Sequence, residues 1–292
     1  LDLRSDLFGL KGMNDLRLAI AQMRSSADPW ENLLQVESFI EEAAQEKVGL
    51  LCFPENVFFR RPRADLTDEY IFRVHLQKLE PHSEFTSAEE ELLARIPLAV
   101  SLGSVPEKNP LHPRPFNAHC LVDQDASLTS YHKIHLFDFQ GTAGIYKESN
   151  DVRRRSETKT ALVKEESIGL FICYDLRFPE LFRKLAVEDQ AELLLVPAAF
   201  TLETGRAHWH SLLRSRAIEN LCFVSAAGQW GSHKNNQGQD LFCYGHSLII
   251  SPWGEILAEG PETGDALLVA DLKGSNLLRA RARLPVFESI RL

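Results

Sequence analysis

The chain has 292 residues, 44% of them hydrophobic and 25% charged, the profile of an ordinary globular protein. A formal net charge of -9 argues against a protein that tracks nucleic-acid phosphates, whose footprint is basic and clustered. The one basic run, Arg153 to Arg155, is short and reads as a solvated loop.

No apolar stretch approaches the ~18 residues of a membrane span, and the segment before Met13 lacks the basic and apolar regions of a secretory signal. A soluble, cytoplasmic protein is therefore expected, with residues 1–14 as an extension and 15–292 as one domain.

Asp28, Pro29 and Glu31 predict a helix start, with Asp28 as N-cap, Pro29 at the first helical position and Glu31 returning to the cap. Leu33, Val36, Ile40, Ala43 and Ala44 follow at helical spacing. The run VGLLCF (48–53) is too continuous for a half-exposed strand and reads as a central buried one, ended by Pro54 and Glu55. Ser87 with Glu90 three residues later predicts a second helix, and IPLAVSLGS the next strand. FNAHCLVD and LTSYHKIHL flank a turn at Asp123 to Ser127 and predict a hairpin, with Lys133 inside its second strand.

SIGLFI (167–172) runs into Cys173, and FPELFRKLAVED predicts a helix with Pro179 near its start. ELLLVPAAF, the helix RAHWHSLLRSRAIEN, LCFVSAAG, FCYGHSLIIS, a PWGE turn and ALLVADL complete the pattern. Buried strands alternating with amphipathic helices, then hairpins, predict a layered α/β fold with mixed sheets and no linker to divide it.

The five cysteines are odd in number and form no C-x-x-C pair, which argues against a disulfide framework or a thiolate zinc site. Cys52, Cys120, Cys222 and Cys243 read as small buried hydrophobes. Cys173 and Glu55 each fall just past the carboxyl end of a predicted central strand, where ligands of α/β sheets gather. A thiol attacks as thiolate, so it needs a base or a positive charge beside it; Glu55 and Lys133 are the candidates, and acyl transfer is the chemistry they suit. Taken singly, each has a plainer reading: a buried cysteine, a loop glutamate, a lysine stem lying along the surface.

Three segments carry more than spacing does. LLCFPEN around Glu55, YHKIHLFD around Lys133 and GLFICYDLRFPELFR around Cys173 resemble, in order and approximate separation, the three signature segments of the nitrilase superfamily. Similarity continues through AHWHSLLRSRAIEN, YGHSLIISPWGEIL and RLPVF, from Leu16 to Phe287, and is greatest with the Nit-type amidases, which include deaminated glutathione amidase and omega-amidase. The resemblance implies a four-layer αββα sandwich that pairs as a homodimer and hydrolyses a terminal carboxamide through a thioester, with release of ammonia.

It further implies Cys173 as nucleophile, Glu55 as base, Lys133 as cationic helper and Glu148, in YKES, as a second glutamate that positions substrate and supports the base. Lys133 and the backbone N-H of Tyr174 would receive the oxyanion. Arg177 either grips a substrate carboxylate or makes a structural ion pair with Asp175, Glu180 or another acid. Asp175 is expected to orient rather than react, and His208 or Trp209 to line the pocket.

His208 and His210 form an H-x-H, but residues two apart do not share a helix face and no carboxylate-and-histidine set accompanies them, so no metal is expected. No organic cofactor is required either.

An omega-amidase acting on alpha-keto acid amides, a nitrilase, an N-carbamoyl-amine hydrolase and a catalytically silent binding relative are the alternatives. The segments FQGTAGIYK before Glu148, SNDVRRRSETKTALVKEES after it, and the loop 228–242 depart from the Nit-type pattern. Such loops set specificity, so the substrate is what they leave open; SAAGQWGSH leans toward a deaminated-glutathione-type amide.

Overall fold

In the computed structural model, which describes residues 13–58, 67–75, 78–141, 144–234 and 238–291, strands and helices alternate twice over. The first half runs β1 (Leu16–Gln22), α1 (Pro29–Gln45), β2 (Leu50–Cys52), a small hairpin β3 (Val74–His75) and β4 (Lys78–Leu79), α2 (Glu84–Ala94), β5 (Ala99–Glu107), β6 (Phe116–Val122), β7 (Leu128–His132) and a second hairpin β8 (Asp138–Gly141) and β9 (Gly144–Lys147). The second half runs β10 (Thr160–Val163), β11 (Glu166–Leu170), α3 (Pro179–Glu188), β12 (Leu193–Leu195), α4 (Leu202–Asn220), β13 (Phe223–Ala226), the hairpin β14 (Trp230–Lys234) and β15 (Asp240–Tyr244), β16 (Leu248–Ile250), β17 (Ile256–Glu259), β18 (Ala266–Leu272) and α5 (Gly274–Arg283).

Two six-stranded sheets result, ordered β18-β1-β2-β5-β6-β7 and β10-β11-β12-β13-β16-β17. Each has three parallel strands at its centre and antiparallel strands outside them. The mixed pairing and the αββα sandwich expected from sequence are both present. β18 returns to pair with β1 along seven residues, tying the end of the chain to its beginning.

Strand alternation explains the continuous apolar runs. Leu18, Ile20, Leu50 and Cys52 join one core with Ile168, Leu170, Leu193 and Leu195 of the other sheet, while Ala19, Ala21, Leu51 and Phe53 face a second core shared with α1 and α2. A strand buried on both faces has no polar side to show. On the far side, Leu181, Phe182 and Leu185 of α3 and Trp209, Leu213 and Ala217 of α4 cover the second sheet.

Several local expectations are corrected. Asp28 caps α1 and accepts from Trp30 N-H at 2.9 Å, but Glu31 does not return to the cap: its carboxylate accepts the Ser26 hydroxyl, which in turn accepts the Asp28 N-H. α2 starts a turn earlier than Ser87, at Ser83, whose partner in a capping box is Thr86 rather than a glutamate. Lys133 lies one residue beyond β7, and FCYGHSLIIS splits into β15 and β16 at Gly245 and His246, both at positive φ.

Residues 1–12, and residues 142–143 and 235–237 inside two of the segments noted above, lie outside the described residues. Met13 is buried and Asn14 donates to Glu166 from both its backbone and side chain. Among the described residues no helix is long and apolar enough to cross a membrane.

The turn carrying Glu55 is seated by a bulge in β5. The β5–β6 register shifts between Ser101 and Ser104, where Gly103 takes φ +62 and an added Cβ would overlap the carbonyl oxygens of Phe53 and Pro54. Beside it Ser104 accepts Asn56 N-H on its hydroxyl and Val57 N-H on its carbonyl. Gly103→Ala is expected to destabilise the fold by roughly 2 kcal/mol or more, read as a lower urea midpoint at unchanged slope.

Candidate active site

Four candidate side chains arrive from loops at one end of the sheets. Glu55 stands three residues past β2, Lys133 one past β7, Glu148 opens a 3-10 turn after β9, and Cys173 opens another, Cys173–Arg177, after β11. The first three belong to the first sheet and its hairpin; Cys173 comes from the second.

The Lys133 ammonium is buried and donates to Glu55 Oε1 at 2.9 Å and to Glu148 Oε2 at 2.9 Å, with a third contact to Glu148 Oε1 at 3.2 Å. Asn117 Nδ2 bridges the same two carboxylates, at 3.1 Å to Glu55 and 3.0 Å to Glu148. Phe137 N-H donates to Glu148 Oε2 at 2.7 Å, and Ala199 N-H, from the second sheet's side, to Glu55 Oε2 at 3.1 Å. Burial alone would push the Lys133 ammonium toward its neutral form, but Glu148 and Glu55 together hold its pKa well above the ordinary lysine value.

Cys173 adopts φ +45, a left-handed conformation that disfavours any side chain, and its N-H is anchored on Pro197 O at 2.8 Å. Only 8% of the residue is exposed. Burial pushes the thiol well above its usual value, and the negative charge of Glu55 adds to the rise; Lys133 and the N-H of Ala199 pull the other way. Cys173 therefore rests as a thiol beside a carboxylate, not as a preformed thiolate.

Asp175 is fully buried and acts as a clamp. It accepts from Tyr131 Oη at 2.8 Å and Ile172 N at 2.9 Å on one oxygen, and from His135 N at 3.1 Å and Nδ1 at 2.8 Å on the other. His119 spans the two sheets in the same way, with Nδ1 on Phe171 O at 2.8 Å and Nε2 at 2.7 Å from Ser101 Oγ. Burial lowers its pKa to about 4, so the ring is neutral, donating to Phe171 and accepting from Ser101.

Arg177 has no carboxylate partner among the described residues, which removes the ion pair with Asp175 or Glu180. Its guanidinium donates to His208 Nδ1 at 3.3 Å and lies over the rings of Tyr174 and Phe200 at 5.8 and 5.4 Å. His208 is exposed, whereas Trp209 is 1% exposed and packs against Phe200, its indole N-H on His246 O at 2.7 Å. His210 does have the histidine and carboxylate company that sequence did not give it: it meets His246 around Glu259.

Asn117 was not among the expected residues. The available signal is a pair of polar residues, Asn117 and His119, inside the otherwise apolar run FNAHCLV.

The sequence model of one family, Carbon-nitrogen hydrolase, matches residues 17–282. The chain belongs to the carbon-nitrogen hydrolase family. It is 33% identical over 286 residues to a Dictyostelium discoideum protein named deaminated glutathione amidase, covering 96% of each chain. It is 32% identical over 282 residues to the human protein named omega-amidase NIT2, again covering 96% of each. Among solved structures it superimposes on Saccharomyces cerevisiae Nit3, described as a member of branch 10 of the nitrilase superfamily, with a TM-score of 0.82, 28% identity and 96% and 98% of the two chains covered. Chains of this family hydrolyse carbon-nitrogen bonds, and the carboxylates, ammonium and thiol gathered here are chemically suited to that reaction.

Without Asn117 the two carboxylates would share Lys133 alone as their common donor. Asn117→Ala is expected to lower kcat/KM by about 10–100-fold, the size of a lost hydrogen bond to a charged group. Unchanged kcat/KM in that variant would count against this role.

Proposed function

We propose that the chain hydrolyses the terminal carboxamide of a small, carboxylate-bearing substrate through a thioester on Cys173, releasing ammonia. The observation that carries this reading is the placing of Glu55: one carboxylate oxygen takes Lys133 and Asn117, the other takes Ala199 N-H, and the charge lies beside the Cys173 thiol.

Glu55 accepts the thiol proton as the sulfur attacks the amide carbon. The oxyanion that forms is received by the Lys133 ammonium and the backbone N-H of Tyr174. Collapse breaks the carbon-nitrogen bond, and Glu55 passes its proton to the departing ammonia. Glu55 then takes a proton from water as the water attacks the thioester, and returns it to sulfur as the acid leaves. Glu148 also holds Lys133 and, through Asn117, supports Glu55. Each proton has a protein acceptor, so these steps need no metal or organic cofactor.

Arg177 supplies the substrate class. A guanidinium that lies over two rings and has no acid partner among the described residues is ready to bind a carboxylate bidentately. His208 steadies it, and Trp209 braces Phe200 beneath it. The name of the Dictyostelium relative supports a deaminated-glutathione-type amide as the favoured substrate.

The same reading takes residues 15–292 as the catalytic domain, working as a cytoplasmic homodimer without nucleic-acid or membrane partners. The five cysteines form no disulfide among the described residues, which suits a reducing compartment. Exposed Ile218, Trp253 and Leu284 offer an apolar surface for a second copy, with Ile218 beside Gly254 and Arg283 over the Trp253 ring. A monomeric mass in solution would contradict the dimer.

Ammonia release over a panel of deaminated glutathione, alpha-ketoglutaramate, neutral aliphatic amides, nitriles and N-carbamoyl amino acids tests the chemistry. Turnover is expected with the carboxylate-bearing amides and is lost in Cys173→Ala. Unchanged turnover in that variant, or activity confined to nitriles or carbamoyl compounds, overturns the proposal. Arg177→Met is expected to raise KM for carboxylate-bearing amides by about 100-fold, the size of a lost charged hydrogen-bond pair, while leaving neutral amides unaffected.

A further inference from the structure

We infer that the chain carries a divalent transition-metal site made of His210, His246 and Glu259, three residues that the amide chemistry does not use. They come from separate elements: His210 from α4, His246 from the turn between β15 and β16, and Glu259 from the end of β17. One ligand atom from each lies within 4.8 Å of the other two.

The geometry is close to what an ion demands. His210 Nε2 and His246 Nδ1 each lie 2.9 Å from the same oxygen, Glu259 Oε1. Ligand atoms about 2.1 Å from one ion are about 3.0 Å apart at a right angle and about 3.4 Å apart at the tetrahedral angle, so a small adjustment of the rings admits the ion. Without an ion, each ring nitrogen must donate a proton to that single oxygen. With one, the protons move to the outward nitrogens, His210 Nδ1 and His246 Nε2, and the lone pairs turn to the metal.

The donors are held in place before any ion arrives. His246 sits at φ +48, with its N-H on Pro261 O at 3.2 Å and its carbonyl accepting Trp209 Nε1 at 2.7 Å. The preceding Gly245 is at φ +69, where a side chain would run into the carbonyls of Pro261 and Glu262. Glu259 is fixed by its pairing with Leu248. The Tyr244 ring, 4.5 Å from His246 and 6.1 Å from His210, walls one side.

The three side chains remain 33%, 22% and 37% exposed, which leaves the ion a way in and water room to complete its coordination. Two imidazoles and one carboxylate suit zinc, nickel or copper better than magnesium or calcium.

α4 places His210 on the opposite side from His208, so an ion here would tie the helix to β17 without touching Arg177. Its expected effect is on stability, since a ligand that binds only the folded chain raises the melting temperature.

Zinc titration of the untagged Cys173→Ala chain, in which the reactive thiol cannot compete, is the test. One equivalent is expected to bind saturably and to raise the melting temperature. His210→Gln and His246→Asn, the latter chosen because asparagine tolerates a left-handed backbone, should each weaken binding by more than the ~10–100-fold that follows loss of an outer-shell partner. Absence of saturable binding, or unchanged binding in both variants, overturns the site.

Cobalt binding to the Cys173→Ala chain gives a readout that needs no histidine variant. Visible ligand-field bands without a thiolate charge-transfer band support the site, and a strong thiolate band overturns it. Neither measurement uses amide turnover, so the metal site and the proposed reaction stand or fall separately.

Discussion

The buried Lys133 ammonium, shared between Glu55 and Glu148, is the interaction around which the site is organised. Three charges are taken out of water there, and removing one partner of such a pair costs about 3–5 kcal/mol because the other is left uncompensated. The excess negative charge is spread by neutral donors: Asn117 reaches both carboxylates, Phe137 N-H takes Glu148 and Ala199 N-H takes Glu55. Five chain segments are thereby drawn to one point. The Gly103 bulge, the end of β7 and the turn after β9 are each placed so that this point exists.

The two sheets contribute differently. Charge comes from the first, Cys173 and Ala199 from the second, so the site depends on how one sheet sits on the other. Apolar packing between sheets is non-directional and tolerates small slides. Directional contacts across the interface do not: His119 of β6 donates to Phe171, and Tyr131 of β7 together with His135 just beyond it holds Asp175. Phe171 and Asp175 lie two residues to either side of Cys173. Buried polar groups in this position fix the alignment that hydrophobic burial leaves loose.

How much of this was legible in the sequence follows from the same physics. The central strands were, because burial on both faces leaves an unbroken apolar run. Glu55, Lys133 and Cys173 were legible as a set only through their three segments; strand ends alone left each with a plainer reading. The start of α2 was misplaced because its capping box uses Thr86 where the pattern looks for glutamate. Asn117 was missed because its role depends on carboxylates 62 and 31 residues away, brought to it only by the fold. His210 was misjudged for the same reason: its neighbours are 36 and 49 residues on, across the sheet edge rather than along the helix.

The five cysteines sharpen the point about Cys173. Distinguishing it by exposure fails, since all five are buried. Burial raises the thiols of Cys52 to about 12 and Cys222 to about 11, and pushes Cys120 and Cys173 well above the ordinary value. Every one of these is therefore protonated at rest, and desolvation by itself makes each inert. Cys173 differs in having a carboxylate, an ammonium and a backbone N-H beside the same sulfur, held by a left-handed turn that no unconstrained cysteine would adopt. Burial keeps the thiol quiet until an electrophile arrives. In the proposed reaction the carboxylate then removes the proton at the moment of attack, and the charge that burial had forbidden on sulfur passes to an oxyanion beside the ammonium. What sets the proposed nucleophile apart is its neighbours rather than its access to solvent.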